Sequence, residues 1–269
     1  MQPLHDSTLN NYNWVIQNFT ENDIETLDSI NQKIQGYWIL GMAVAQNSDN
    51  SKAIALYQKA LKLSIDIKDS TAIIKSYQGM GFPYFALGKY AEVLQVHTKS
   101  LNIAEELNDS SQMSLFLMSI GAAYYYLKNK EKCMEFQLEA LKLATKVNNV
   151  EVVMKSSKNI SAVYSEMGKT DSAVKYMEYF ISYVKPNDYA QLSYSYAILS
   201  VAYDVTKRFT QKKEAVDKSL YFASKTSDKT NRAFALLKRT EIYKYQKKID
   251  SALADADTAL EIYRKGKLI

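Results

Sequence analysis

The sequence predicts an all-α protein built from six similar helix pairs. Apolar residues make up 47% of its 269 residues, whereas glycine (8) and proline (3) are scarce, which favours helices over turn-rich β structure. Two ladders of small residues also recur at steps of 39 or 40 residues, which indicates a repeat architecture. The first ladder, in which Phe180 is the only large residue, is Ala60, Ser100, Ala140, Phe180, Ser219 and Ala259, and the second is Gly41, Gly81, Gly121, Ser161, Ser200 and Thr240.

The second period shows how each pair is built. Asp69 precedes the first helix as an N-cap, because its short carboxylate can accept from free amides of the first turn. Gly88 ends that helix as a C-cap, and a second helix is expected from about residue 90 to 107. The apolar residues of the first helix follow a helical stride at Ile73, Ile74, Tyr77, Met80, Tyr84 and Leu87.

The ends of the chain fall outside this pattern. Residues 1–30 are expected to form a helical cap, with a short packing helix over 6–19 and either one long helix over 22–46 or two abutting ones. Residues 266–269 are expected to begin a truncated continuation. The six pairs are predicted at about residues 31–69, 70–109, 110–149, 150–188, 189–228 and 229–265.

A spaced pattern of aromatic and small residues recurs within the periods. In the first period it comprises Tyr37, Leu40, Gly41, Val44, Ala53, Tyr57 and Ala60. This pattern resembles the tetratricopeptide repeat (TPR) family, although the period exceeds the family's usual length of about 34 residues. It is similar to the longer-helix variants found in kinesin light chains and in bacterial peptide-responsive regulators. The resemblance implies a TPR-type α-solenoid, in which antiparallel helix pairs wind into a right-handed superhelix.

The same resemblance implies a binding groove, because the first helices of TPR proteins line a concave surface. The residues that the register assigns to this groove are aromatic and methionine-rich in the N-terminal half and include two lysines in the fourth pair. Trp38 and Phe82 are equally compatible with a groove position and with a core position. The predicted partner-binding residues are Trp38, Met42, Lys75, Gln78, Phe82, Phe85, Met118, Tyr125, Lys155, Lys158 and Tyr194.

We find no pattern that predicts catalysis. The sequence has no glycine-rich phosphate loop, no cluster with metal-ligand spacing and no Ser/His/Asp arrangement in a helical context, so neither an enzyme nor a cofactor is expected. Cys133 is the only cysteine and occupies a small-residue position of the repeat, where we expect it to be buried. His97 occupies an aromatic position and is expected to pack in the core.

Charge and hydropathy restrict the partners further. The net charge of +5 arises from 34 basic and 29 acidic residues that are interspersed, which does not indicate nucleic-acid binding through this region. No apolar run has the length of a membrane helix, so no membrane contact is expected. The compartment is undetermined: the sequence favours the cytoplasm, and a periplasmic location stays open if a leader has been removed.

These observations predict a non-catalytic scaffold that binds a protein or peptide in its concave groove. Within that class we favour the sensory or regulatory region of a bacterial signalling protein, such as a histidine kinase or a transcriptional regulator. The alternatives are a structural assembly or cargo adaptor, and a receptor for a peptide or small molecule. Because no polar capping helix follows the sixth pair, the C-terminal end could also form a homodimer.

Overall fold

The computed structural model describes residues 12–227 and 229–265, and all regular structure in these ranges is α-helical. Apart from the two short N-terminal helices, most helices span 17 residues. In chain order they are α1 (Tyr12–Asn18), α2 (Glu21–Glu25), α3 (Ile30–Gln46), α4 (Asn50–Asp66), α5 (Ser70–Ala86), α6 (Tyr90–Glu106), α7 (Ser110–Tyr126), α8 (Lys130–Lys146), α9 (Val150–Glu166), α10 (Thr170–Tyr183), α11 (Tyr189–Val205), α12 (Phe209–Ala223), α13 (Lys229–Tyr245) and α14 (Ile249–Lys265).

Most turns between helices, those after α10 and α12 excepted, follow one design. After α3, the amide of Asp49 donates to the carbonyl of Val44 (2.9 Å) and the amide of Ser48 donates to that of Ala45 (3.0 Å), which is a Schellman closure. Ser48 has a left-handed backbone with φ 66°. Asp49 then caps α4 by accepting from the amide of Lys52. The left-handed residues of the other helix-connecting turns are Lys68, Gly88, Asn108, Lys128, Asn148, Gly168, Lys207 and Lys247.

The chain divides into two compact units, of which the first ends at Asn149. Consecutive helices of this unit pack against each other from α3 to α8, and α1 and α2 pack against α3. The fully buried Ile24 holds α2 close to α3, since an added Cβ at Gly36 would lie 3.0 Å from its Cγ1 atom. The break between α2 and α3 over residues 26–29 corresponds to the two-helix alternative for residues 22–46.

The second unit begins at Val150 and contains α9 to α14. Its helices pair as α9 with α10, α11 with α12 and α13 with α14, and α11 also contacts α13. Phe180, the large exception in the first ladder, is 4% exposed and packs in the core with Val174, Met177 and Leu199. The predicted continuation at residues 266–269 lies outside the described residues, as do residues 1–11 of the predicted cap.

Both ladders are buried, which explains their small residues. An added Cβ at Gly41 would lie 3.2 Å from the ring of Tyr57, and one at Gly121 would lie 2.9 Å from the amide nitrogen of Gln137. Helices can approach this closely only where a ladder residue lacks a bulky side chain. The predicted burial of Cys133 and His97 is also confirmed, with exposed fractions of 0% and 4%.

Candidate functional site

The described ranges offer no group of three or more His, Cys, Asp and Glu side chains that could hold a metal ion. None of the helices within those ranges is sufficiently long and apolar to cross a membrane. The search for a site therefore turns to the exposed faces and clefts of each unit.

A cleft of about 430 Å³ lies between the first helices α3 and α5 of the N-terminal unit. Four of the residues predicted to bind a partner line it together with four others. Three of these additional residues project from α3 or α5, and the fourth, Tyr57, projects from α4. The lining residues are Gln35, Trp38, Ile39, Met42, Tyr57, Lys75, Gln78 and Gly79.

Trp38 forms one wall of the cleft in a fixed orientation. Its indole N–H donates to the hydroxyl oxygen of Ser76 (2.9 Å), and that hydroxyl donates to the carbonyl of Ala72 (2.8 Å). The side chain is half-buried and packs against the hydrophobic core while it also lines the cleft. Trp38 therefore combines the two predicted positions: one part of its side chain packs on the core and another part faces the groove.

Lys75 places a positive charge against this wall. Its ammonium nitrogen lies 4.2 Å from the ring centroid of Trp38, which is a cation–π contact between adjacent first helices. No carboxylate of the described residues forms an ion pair with it. The cleft therefore combines an apolar wall with a cation that has no internal counter-ion.

Tyr57 and Gly79 shape the cleft, and the sequence did not single them out as site residues. A Cβ added at Gly79 would overlap the Tyr57 ring, so the ring can occupy its place only beside a glycine. Burial raises the pKa of Tyr57 to about 12, so its phenol is neutral at physiological pH. The sequence did contain a signal that Gly79 is unusual, because no other period has glycine at this position. The corresponding residues are Ile39, Ser119, Asn159, Ile198 and Lys238.

Pro83 interrupts the backbone hydrogen bonding of α5 near the cleft. It lies inside α5 and has no amide hydrogen, so the carbonyl of Gly79 lacks the donor that the residue four positions ahead normally supplies. Gly79 itself lines the cleft.

Further aromatic side chains, which are exposed or half-buried, lie on α5, α6 and α7. Phe82 is 62% exposed, so it belongs to the surface and not to the core. Phe85 lies 5.9 Å from Tyr90 and 6.0 Å from Tyr126, measured between ring centroids, and Tyr125 lies 5.5 Å from Tyr126. Together these four rings form one cluster of aromatic side chains.

Met118 requires a correction among the predicted binding residues. Its side chain is only 8% exposed, so it offers almost no surface to a ligand. Its carbonyl accepts a hydrogen bond from the buried amide of Gln137 (2.9 Å), which belongs to the paired helix α8. The register assigned it correctly to a first helix, but its side chain is buried and not part of the surface.

The three predicted residues of the C-terminal unit are all exposed. Lys155 forms an ion pair with Glu151 one turn earlier on α9 (2.5 Å), so its charge is already balanced. The ammonium nitrogen of Lys158 lies 5.8 Å from the ring centroid of Tyr194 on α11. In this unit too, a lysine of one first helix therefore contacts an aromatic ring of an adjacent first helix.

A second pocket, of about 630 Å³, surrounds Lys212 in the C-terminal unit and was not predicted. Lys212 is a long side chain at a small-residue position of the repeat, and it is nevertheless buried, with 6% exposed. Its ammonium nitrogen lies 2.7 Å from the carboxylate of Asp204 and 3.1 Å from that of Glu241. Burial lowers the pKa of Lys212, but hydrogen bonds to these two carboxylates outweigh burial and raise it overall. Exposed rings of Phe209 and Tyr245 stack 5.1 Å apart beside it.

No family model matches this chain, and no curated protein sequence matches it. Solved structures do match. A signal-transduction ATPase (STAND) protein with a tetratricopeptide repeat sensor from Pyrococcus horikoshii gives a TM-score of 0.79 at 18% identity, over 96% of this chain and 41% of that one. The chain thus spans less than half of that protein.

Two further structures represent other kinds of protein. The apo form of the quorum sensor NprR from B. thuringiensis gives a TM-score of 0.64 at 14% identity, over 95% of this chain and 74% of that one. A kinesin light chain-like protein with TPR-like repeats from Podosopora anserina gives a TM-score of 0.61 at 15% identity. The match covers 75% of this chain and 100% of that one. Together with the helix pairs, these likenesses show that the chain has the fold of a TPR-type α-solenoid.

Proposed function

We propose that this chain is a non-catalytic scaffold that binds a protein or peptide partner on the first helices α3, α5 and α7 of its N-terminal unit. The observation that carries the proposal is the cleft between α3 and α5, which Trp38 and Lys75 line. Clefts that combine apolar walls with a few placed polar groups are the usual form of ligand sites.

The energetics of the surface support a macromolecular partner. Trp38 is held in place by its hydrogen bond to Ser76, so little side-chain entropy would be lost on binding. Met42 and Phe82, which occupy equivalent positions of successive repeats, are 39% and 62% exposed and would bury apolar area against a partner. Aromatic anchors of this kind supply much of the binding energy at protein interfaces.

The ionisable groups of the cleft favour binding over chemistry. They are Lys75 and Tyr57, and the raised pKa of Tyr57 keeps its phenol protonated. No carboxylate, histidine or thiol lines the cleft to act as a base or nucleophile. A scaffold therefore explains this site more simply than an enzyme does.

We further propose that the scaffold is the sensory or regulatory region of a bacterial signalling protein. The support is that the STAND protein and NprR, which share the fold, are described as sensors. The kinesin light chain-like structure favours the alternative of an assembly or cargo adaptor. A receptor for a small peptide or molecule is a third candidate, since a volume of about 430 Å³ lies within the range of such sites.

Selection from a display library of random dodecapeptides tests the binding proposal. We expect enriched peptides to bind saturably, with a micromolar or lower Kd, and to lose most of their affinity for Met42→Ala/Phe82→Ala. The matched control is Ile65→Ala/Leu138→Ala, which removes two exposed apolar side chains from the second helices α4 and α8. If no peptide is enriched, or if both double variants weaken binding equally, the proposed groove is wrong.

A further inference from the structure

The charge distribution of the N-terminal unit suggests what kind of segment the cleft takes. The first helices α3, α5 and α7 contain 17 residues each and not one aspartate or glutamate. The chain as a whole has 29 such residues, and the second helices α4, α6 and α8 all carry some of them. The helices α3 and α5, which supply seven of the eight lining residues of the cleft, therefore carry no group that would repel a carboxylate.

Those three helices contain two lysines, and only one of them lacks a carboxylate partner among the described residues. Lys33 on α3 donates to the carbonyl of Glu25 (2.8 Å) and lies 3.5 Å from its carboxylate. Lys75 on α5 has no such partner among the described residues and rests on the ring of Trp38. An anion placed there would meet a cation whose position is already restricted by the indole.

The surroundings of Lys75 indicate an apolar group beside that anion. Trp38, Ile39 and Met42 line the cleft next to the ammonium group. A free inorganic anion would leave these surfaces uncovered. A peptide with an apolar side chain next to an acidic one would cover them and pair with Lys75 at the same time.

We propose that the cleft recognises an acidic peptide segment of a partner protein, with an apolar side chain against Trp38 and Met42 and a neighbouring Asp or Glu carboxylate on Lys75. This inference rests on the proposed function, since it names the chemistry of the ligand for the same site. It goes beyond that proposal because it predicts a charge preference that a merely apolar groove would not have.

The enriched dodecapeptides from the library provide the first test. We expect Asp and Glu next to apolar residues to be over-represented among them relative to the unselected library. Replacing the acidic residue of one enriched peptide by its amide should weaken binding to the wild-type protein by about tenfold. Raising the salt concentration should weaken the acidic peptide more than its amide form.

Variants at position 75 complete a double-mutant cycle. Lys75→Gln should bind the acidic and amide forms almost equally, whereas Lys75→Arg should retain the preference for the acid. Lys62→Gln, which neutralises an exposed lysine on α4, should behave as wild type. A circular dichroism spectrum and a thermal melt of each variant exclude misfolding as the cause.

The outcomes separate the two proposals. If the enriched peptides are neutral or basic, or if Lys75→Gln keeps the acid preference, the charge inference is wrong and the groove stands. If no dodecapeptide binds saturably, the proposed function itself fails. An acid preference that is lost only in Lys75→Gln supports both.

Discussion

Gly81 lies so close to His97 that an added Cβ would overlap the Nε2 atom of the imidazole. The ring has little room to move, because it is 4% exposed and stacks 5.7 Å from Phe116. In a helix, Ala is about 1 kcal/mol more favourable than Gly, but overpacking costs about 1–3 kcal/mol. We therefore expect Gly81→Ala to lower the free energy of unfolding by up to about 2 kcal/mol in a urea titration.

Gly41→Ala is the matched control, since it makes the same substitution one repeat earlier. Its Cβ would lie 3.2 Å from the Tyr57 ring, which is tight without overlap. Here the gain in helix propensity should offset most of the crowding. Equal destabilisation by the two variants would contradict the contact between Gly81 and His97.

His97 should make stability depend on pH. Burial lowers its pKa from about 6.5 to about 4, and its Nδ1 atom has no hydrogen-bond partner among the described residues. The unfolded chain therefore binds a proton at a higher pH than the folded one. The stabilisation is fully present above about pH 6.5 and is lost as the pH falls towards 4, by about 3 kcal/mol in total.

Carboxylates also titrate in this range, so the measurement must be a difference. We expect the gap in unfolding free energy between wild type and His97→Leu to change by about 2–3 kcal/mol between neutral pH and about pH 4. The wild type should lose more stability than the variant. Parallel pH profiles would show that His97 is not buried as a neutral ring.

The period of the sequence determined much of the fold in advance. Ladder residues such as Gly121 and Ala140 are small because helices meet there, so their spacing predicted which faces are buried. The cleft was predicted only in part. Register assigned both Trp38 and Lys75 to the groove. The room for a ligand also depends on Gly79, because the ring of Tyr57 on another helix lies against it.

Other departures also came from local packing. Met118 shares its repeat position with Trp38, yet its side chain is buried whereas that of Trp38 is half-buried and lines the cleft. Lys212 occupies a position where the other repeats have a small or apolar residue. Only the structure shows that it forms ion pairs with Asp204 and Glu241. Periodicity describes an average repeat, and these sites differ from that average.

The turns predict a way to stabilise the protein. Lys128 has φ 62°, a left-handed conformation that costs an L-residue about 1–2 kcal/mol and costs glycine little. Part of this gain is lost because glycine has more entropy in the unfolded chain. We expect Lys128→Gly to raise the free energy of unfolding by about 0.5–1 kcal/mol, measured by thermal melting.

Gly88 provides the reverse experiment in an equivalent turn. It has φ 69°, and no atom outside its immediate neighbours lies within 4 Å of an added Cβ. Gly88→Ala should therefore destabilise the protein by about 1 kcal/mol through backbone strain alone. Opposite signs for the two variants would support the same C-cap geometry in both turns, and equal signs would refute it.

Lys212 should behave as a buried charge that depends on its two partners. Lys212→Met keeps a similar length but removes the cation of Asp204 and leaves Glu241 paired only with Lys238. Because both carboxylates are about 40% exposed and remain hydrated, we expect a loss of only about 1–2 kcal/mol. Adding Asp204→Asn and Glu241→Gln should recover much of it. No recovery in urea titrations of the triple variant would mean that packing, not charge, explains the loss.

Gly79 links the stability of the N-terminal unit to the cleft. Its Cβ in Gly79→Ala would overlap the Tyr57 ring, so the ring must shift and the shape of the cleft must change. We expect weaker binding of the selected peptides together with a loss of about 1–2 kcal/mol in unfolding free energy. Gly79→Ala/Tyr57→Leu removes the ring that is overlapped and should recover stability without restoring the original cleft. If this double variant bound as tightly as wild type, the Tyr57 ring would not contribute to the site, and the cleft residues on α3 and α5 alone would account for recognition.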